Sequence, residues 1–256
     1  MQTLRIIKNP AVDLNLPKFT IDKNSVGEHL NHHPLLKLLN VYGFLCVIGR
    51  PRQGKTSLTI SLLTQKEPRI YKETHDNVYV FMPTNSINSM KKNPFRKLPE
   101  NQIYNELNDE TIHDVYDKLN ENSGNNEKSI VYIDDQTASL KESKFIQETL
   151  KKIIYNRRHL KTNIIITAQS YVNIPLDVRK NIENLILFKP AKKEFERVFD
   201  ELFEMKKDDA LQLMKDVYQS PHDFLFLNVP SQRLFCNWDE IKLTSEDTDD
   251  EIEFKK

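Results

Sequence analysis

Phe44-Leu45-Cys46-Val47-Ile48 runs directly into Gly49-Arg50-Pro51-Arg52-Gln53-Gly54-Lys55-Thr56-Ser57, and this stretch decides the fold. The first part is an unbroken apolar run, the pattern of a strand buried on both faces. Gly49 to Thr56 then satisfies G-x-x-x-x-G-K-[ST], in which the glycines let the backbone curl until successive N–H groups face phosphate oxygens. Beyond it, Leu58, Leu62 and Leu63 fall at i, i+4 and i+5 with Ile60 on another face, which predicts a helix. Strand, loop and helix follow in the order a phosphate cradle needs. On this reading residues 49–57 line a nucleotide, Lys55 bridges its terminal phosphates, and the Thr56 hydroxyl ligates Mg²⁺. Pro51 has no N–H, which leaves the cradle one donor short. Arg50 and Arg52 read either as solvated loop charges or as contacts to nucleotide or to a neighbouring subunit.

Composition sharpens the motif. The chain has 256 residues and only 5 glycines, where an average chain carries about 7%. Two glycines at a fixed spacing have a chance frequency of about 0.005 at average composition, and roughly tenfold less at this scarcity. The remaining composition excludes classes instead of choosing one. With 37 Lys+Arg against 37 Asp+Glu and 38% hydrophobic residues, a collagen-like chain, a glycine linker and wholesale disorder are ruled out. Two cysteines cannot build a disulfide framework, which fits a reducing compartment. No apolar run approaches the ~18 residues that span a bilayer, and the N-terminus lacks the h-region of a signal peptide. A soluble intracellular protein with one substantial core is expected.

Strands are predicted at 77–82, 129–133, 163–168 and 185–188, with helical patterns at 109–120, 142–156, around 175–182, 192–205 and 207–219. Short buried strands alternating with helices predict an α/β fold with a mostly parallel central sheet flanked by helices. The runs Phe224-Leu225-Phe226-Leu227 and Arg233-Leu234-Phe235-Cys236 predict a terminal hairpin. The expected organisation is a lead-in segment over 1–35 wrapping the core, the core itself over 36–190, a helical and β-hairpin extension over 191–242, and a solvated acidic tail over 243–256.

A phosphate cradle needs a partner for the metal and a group that activates water. The apolar run at 129–133 ends in Asp134-Asp135, a carboxylate pair at the C-terminal edge of what is expected to be a neighbouring strand. Asp134 is assigned to Mg²⁺ through its water shell and Asp135 to the attacking water. The run Ile164-Ile165-Ile166-Thr167-Ala168 ends at Gln169, a neutral amide placed to contact the γ-phosphate and sense its loss. Between these strands, Ile146, Leu150, Ile153 and Ile154 form an apolar stripe. Residues 141–161 carry seven Lys/Arg against two acids, an excess of +5 in a neutral chain. That face is either solvated or a contact to a phosphate backbone or another subunit. Arg157 and Arg158 are candidate fingers for a neighbouring subunit's γ-phosphate, with Arg179 in reserve.

Taken together, Gly49–Thr56, Val131-Tyr132-Ile133-Asp134-Asp135-Gln136, Asn156-Arg157-Arg158-His159-Leu160, Thr167-Ala168-Gln169-Ser170 and Ile174-Pro175-Leu176-Asp177-Val178-Arg179-Lys180-Asn181 resemble the genome-packaging ATPases of poxviruses, giant viruses and virophages. These belong to the FtsK–HerA superfamily, and the resemblance spans roughly residues 40–240. It implies a P-loop NTPase core of the RecA/ASCE type that binds ATP and Mg²⁺. It also implies a ring of like subunits, hexameric or pentameric, pushing double-stranded DNA into a preformed capsid at its portal or vertex. The implied location is the cytoplasm of an infected cell, in the viral factory or with the virion. Lys55 and Thr56 carry the phosphate and metal roles of the family, Asp134 the metal acid and Gln169 the γ-phosphate sensor. The superfamily often has Glu as the second acid where this chain has Asp135. The basic stretch Lys91, Lys92, Arg96 and Lys97 is a candidate DNA grip.

Two other classes stay open. A P-loop small-molecule kinase would need an acceptor pocket and be indifferent to DNA. A non-hydrolysing scaffold would use ATP only for assembly; the acid pair argues against it, although Asp in place of Glu keeps it open.

Overall fold

The computed structural model describes residues 3–7, 38–39, 42–66, 70–90, 93–203 and 205–244. Most of the lead-in segment, the pair Lys91 and Lys92, and the acidic tail beyond 244 lie outside the described residues. In chain order the strands are β1 (Thr3–Ile7), β2 (Phe44–Ile48), β3 (Asn77–Phe81), β4 (Ile103–Tyr104) and β5 (Ser129–Asp134). They continue as β6 (Thr162–Ala168), β7 (Asn184–Phe188), β8 (Phe224–Asn228), β9 (Arg233–Cys236) and β10 (Asp239–Thr244). All belong to one sheet, ordered β1-β10-β9-β8-β7-β2-β6-β5-β3-β4. The run from β7 to β4 is parallel, and β8, β9, β10 and β1 continue it antiparallel.

One expectation is corrected here. The strand ending in Asp134 does not neighbour the strand that delivers the phosphate loop, because β6 lies between β5 and β2. All three strands are fully buried, so none is marked by its own pattern as the partner of another. Pairing order is a tertiary outcome. The arrangement does place the ends of β2, β6 and β5 side by side, with Gln169 entering from the middle.

Helices cover both faces, as a buried parallel sheet requires. They are α1 (Lys55–Thr64), α2 (Thr84–Ser89), α3 (Asp109–Gly124), α4 (Thr137–Glu142), α5 (Lys144–Asn156), α6 (Leu176–Arg179), α7 (Lys192–Leu202) and α8 (Lys207–Val217). Phe44, Cys46 and Ile48 point to one face, where Val115, Ile153, Phe195 and Leu213 pack from α3, α5, α7 and α8. Leu45 and Val47 point to the other, against Leu62 of α1, Leu39, Tyr71, Phe95 and Trp238. This period of two is the strand signature.

The helix expected at 142–156 is there as α5, and the short α4 precedes it. Ser143 sits in extended backbone (φ −101, ψ 119), and its side chain accepts from the Ile146 N–H at 3.1 Å, so it caps α5. The pattern at 175–182 shortens to the single turn of α6. The terminal hairpin is there as β8 and β9, but β10 follows it and pairs Ile241 with Ile6 of β1. No helix among the described residues is long and apolar enough to cross a membrane.

Candidate active site

Register fixes the site. Ile48 of β2 stands level with Ala168 of β6, and Thr167 of β6 stands level with Asp134 of β5. The three strands therefore finish at one edge, the C-terminal edge at which open α/β sheets bind ligands. Gly49 N donates to the Ala168 carbonyl at 3.1 Å, tying the loop's start to β6. Gln53 then stitches the loop: its Oε1 accepts from Arg50 N at 2.5 Å and its Nε2 donates to the Lys189 carbonyl at 3.0 Å. Arg52 (φ 67) and Gly54 (φ 105) take left-handed backbone, curling the loop into the first turn of α1. Arg50, Pro51, Arg52 and Ser57 are exposed along it.

The Lys55 side chain lies inside the curl, with Nζ donating to the carbonyls of Gly49 at 2.6 Å and Arg50 at 3.1 Å. Burial pulls its pKa below the usual lysine value, while the Asp135 and Asp134 carboxylates push back upward. An ammonium facing two acids across the mouth of the loop suits a polyanion between them. The loop also has no space to spare at its start. A Cβ on Gly49 would stand 2.8 Å from Phe188 Cβ and 2.9 Å from Gln53 Oε1. Gly49→Ala is therefore expected to destabilise by about 1–3 kcal/mol through overpacking and to displace the Gln53 stitch. Thermal unfolding and nucleotide affinity measured together would check this.

Asp134 is buried, and its Oδ1 accepts from Tyr132 Oη at 2.7 Å, Thr167 Oγ1 at 2.6 Å and Thr56 Oγ1 at 3.4 Å. The Tyr132 phenol is driven well above its ordinary pKa, by burial first and by the Asp134 charge second, so it stays a donor. Asp135 leaves the strand in left-handed backbone at φ 52 and is exposed. Its N–H donates to the Thr167 carbonyl at 3.3 Å and to Thr167 Oγ1 at 3.1 Å. One hydroxyl thus orients both acids. Gln169 Nε2 donates to Asp135 Oδ2 at 2.7 Å, joining the end of β6 to the second acid. The backbone gives a reason for Asp here in place of Glu, since Asp is among the few residues enriched in left-handed conformation.

The Thr56 hydroxyl and the Asp134 carboxylate face each other, and both are hard oxygen ligands of the kind Mg²⁺ takes alongside water and phosphate. Among the described residues no cluster of three His, Cys, Asp or Glu side chains gathers elsewhere as a cation site. Tyr132 and Thr167 were not anticipated as site residues, although each is a polar interruption of an apolar strand. His222 was not anticipated either. It lies just before β8 and its Nδ1 meets the Gln53 carbonyl at 3.1 Å, so the C-terminal segment reaches the phosphate loop.

The arginine candidates lie elsewhere. Arg157 is half-buried: Nη2 pairs with Glu183 Oε1 and Nη1 donates to the Ile154 carbonyl at 2.8 Å. Glu183 Oε2 in turn accepts from Phe44 N at 3.1 Å, which places the pair at the edge where β2 begins, opposite the loop. Arg158 is exposed beside it. Arg179 makes a two-pronged contact with Glu201 at 2.7 and 2.8 Å. Within the basic stretch, Lys151 meets Asp177 at 3.1 Å and Lys141 meets Asn173 at 2.8 Å, while Lys161 bonds Asn126. Lys144, Lys152 and Arg158 are exposed, as is Lys141 beside its Asn173 contact. Arg157→Ala is expected to cost about 2–4 kcal/mol by leaving Glu183 unpaired, against less than about 0.5 kcal/mol for Arg158→Ala. Denaturant melts of the two variants would check the contrast.

No family model matches the sequence, and no curated protein matches it. Solved structures are similar. The DNA-packaging ATPase B204 from Sulfolobus turreted icosahedral virus superposes with a TM-score of 0.60 at 16% identity, over 77% of this chain and 98% of that one. The genome packaging NTPase B204 from Sulfolobus turreted icosahedral virus 2, in complex with ATP-gammaS, gives 0.58 at 15% identity over the same shares. This chain has the P-loop ATPase fold, α/β with a mostly parallel sheet.

Proposed function

We propose that this chain is an ATP-hydrolysing motor subunit that drives double-stranded DNA into a viral capsid. The observation that carries the hydrolytic part is the convergence of Lys55 and Thr56 with Asp134, Asp135 and Gln169 at one sheet edge. Backbone N–H groups of residues 49–57 and the first turn of α1 bind the phosphates, and Lys55 exchanges its two loop carbonyls for phosphate oxygens. Thr56 and Asp134 hold Mg²⁺, which when bound neutralises charge on the β- and γ-oxygens. Asp135 orients water for in-line attack and takes its proton as the β–γ bridging bond breaks. Gln169, bonded to Asp135, contacts the γ-phosphate and is released when that phosphate leaves. The fold likeness to B204 and the reported ATP-gammaS complex of that protein support the nucleotide reading.

The motor part rests on the sequence pattern and on what the similar structures are named for. Lys144, Lys152, Arg158, Arg96 and Lys97 supply exposed cations for DNA or for a neighbouring subunit. The proposed assembly is a ring of like subunits at a capsid vertex, with Arg158, the exposed member of its pair, reaching the next subunit's γ-phosphate. The experiment is phosphate release from ATP with and without double-stranded DNA. Turnover stimulated by DNA is expected. Phosphate transfer to a nucleoside, with indifference to DNA, would identify a kinase instead.

A further inference from the structure

Segment 170–179 follows Gln169 directly, and α7 grips it at two points. Ser170 Oγ and the Tyr171 N–H both donate to Glu194 Oε1, each at 2.6 Å. Two helical turns along the same face, Glu201 accepts from Tyr171 Oη at 3.0 Å and holds Arg179. Arg179 also donates to the Ile174 carbonyl at 3.2 Å and lies over the Tyr171 ring at 5.2 Å. Tyr171 itself is fully buried. Segment 170–179 is therefore fixed to one helix face at both ends.

Gln169 sits between this clamp and the β6 ladder. Its own side chain is exposed, and the 2.7 Å bond to Asp135 orients it. On the strand side its neighbour Ala168 is held by Gly49 N; on the other side its neighbour Ser170 is held by Glu194. A glutamate in the first turn of a helix needs no function, because it favours the helix dipole. This one turns its carboxylate onto the two residues that follow Gln169 and set the direction in which the chain leaves the sheet.

We propose that Glu194 is a positioning residue for Gln169, holding the amide in register with Asp135 through Ser170 and Tyr171. It rests on the reading of Gln169 as the group that faces the γ-phosphate. The consequence is that α7 supports the catalytic apparatus, and that any shift of Gln169 on phosphate release reaches α7 first through the Glu194 carboxylate.

The test uses the full chain as Glu194→Ala, Glu194→Gln, Gln169→Ala and the double variant Gln169→Ala/Glu194→Ala. Turnover is measured alongside the affinity for a fluorescent ATP analogue. Glu194→Ala is expected to lower kcat about tenfold, a misplacement effect, with Kd changed less than about twofold. Glu194→Gln keeps an oxygen that can accept from both donors and is expected to recover most of the loss. In the Gln169→Ala background, adding Glu194→Ala is expected to cost nothing more, since both act through one group. Unchanged kcat in Glu194→Ala, an equal further loss in the double variant, or a Glu194→Gln as impaired as Glu194→Ala would each overturn the proposal. Should Glu194→Ala not fold, Ser170→Ala removes one of the two donors, and an expected loss of about threefold replaces it in the same cycle. Lys55→Ala separates the two claims: if it retains turnover the placement of ATP hydrolysis at this sheet edge fails, whereas loss there with normal Glu194→Ala overturns only the positioning role.

Discussion

Replacing Lys55 with alanine is expected to abolish ATP turnover, a loss of about a thousandfold or more. The ammonium is held inside the loop by the Gly49 and Arg50 carbonyls and faces two carboxylates. Without it, the acids and the polyphosphate lose the cation the chain itself supplies to the curl. Like unit charges about 4 Å apart repel by roughly 4 kcal/mol at an effective dielectric of about 20. Folding should survive at a cost of about 1–3 kcal/mol, because the substitution leaves the buried Gly49 carbonyl without its donor. Phosphate release and circular dichroism on the same preparation read out both effects. A variant that keeps a tenth of parental turnover would remove Lys55 from the mechanism.

Asp135→Asn is expected to lower kcat by about 10²–10⁴ with nucleotide affinity retained. The substitution is close to isosteric. Asn tolerates left-handed backbone as Asp does, and its amide oxygen can still accept from Gln169 Nε2. What disappears is the capacity to take a proton from water. The comparison variant is Gln169→Ala, which removes the donor and leaves the carboxylate, and so should lower kcat less. Full activity in Asp135→Asn would move the base to another residue.

The phosphate loop and the two acids are legible in the sequence because their chemistry demands fixed residue types at fixed spacing. Gly49, Gly54 and Lys55 fit no other local purpose, and Asp134-Asp135 ends a run that is otherwise apolar. The strand order is not legible in the same way. The β2, β5 and β6 segments are equally buried, and which neighbours which is settled by how the crossovers pack. Ser143 shows a subtler limit: the helix read from 142 begins at Lys144, and the short α4 before it carries no apolar stripe of its own to announce it. β10 went unread because Asp239, Glu240 and Lys242 make the strand polar along half its length, and its partner β1 stands more than 230 residues away. Thr167 and Glu194 belong to the same class. Each acts through a hydrogen bond to a residue distant in sequence, which no spacing rule records.

The arginines show the opposite failure, a signal with more than one meaning. Arg157 and Arg158 are adjacent and chemically alike, but the turn after α5 sends one inward onto Glu183 and the other outward. A basic pair on a helix end does not announce that division of labour.

The central claim is that ATP hydrolysis at this site moves double-stranded DNA. It is tested most directly by displacement of a triplex-forming oligonucleotide from a linear duplex, with ATP as the only energy source. ATP-dependent displacement is expected from the parent chain, with none from Lys55→Ala or Asp135→Asn. Steady ATP turnover with the oligonucleotide left in place would contradict the motor and leave an ATPase of another purpose.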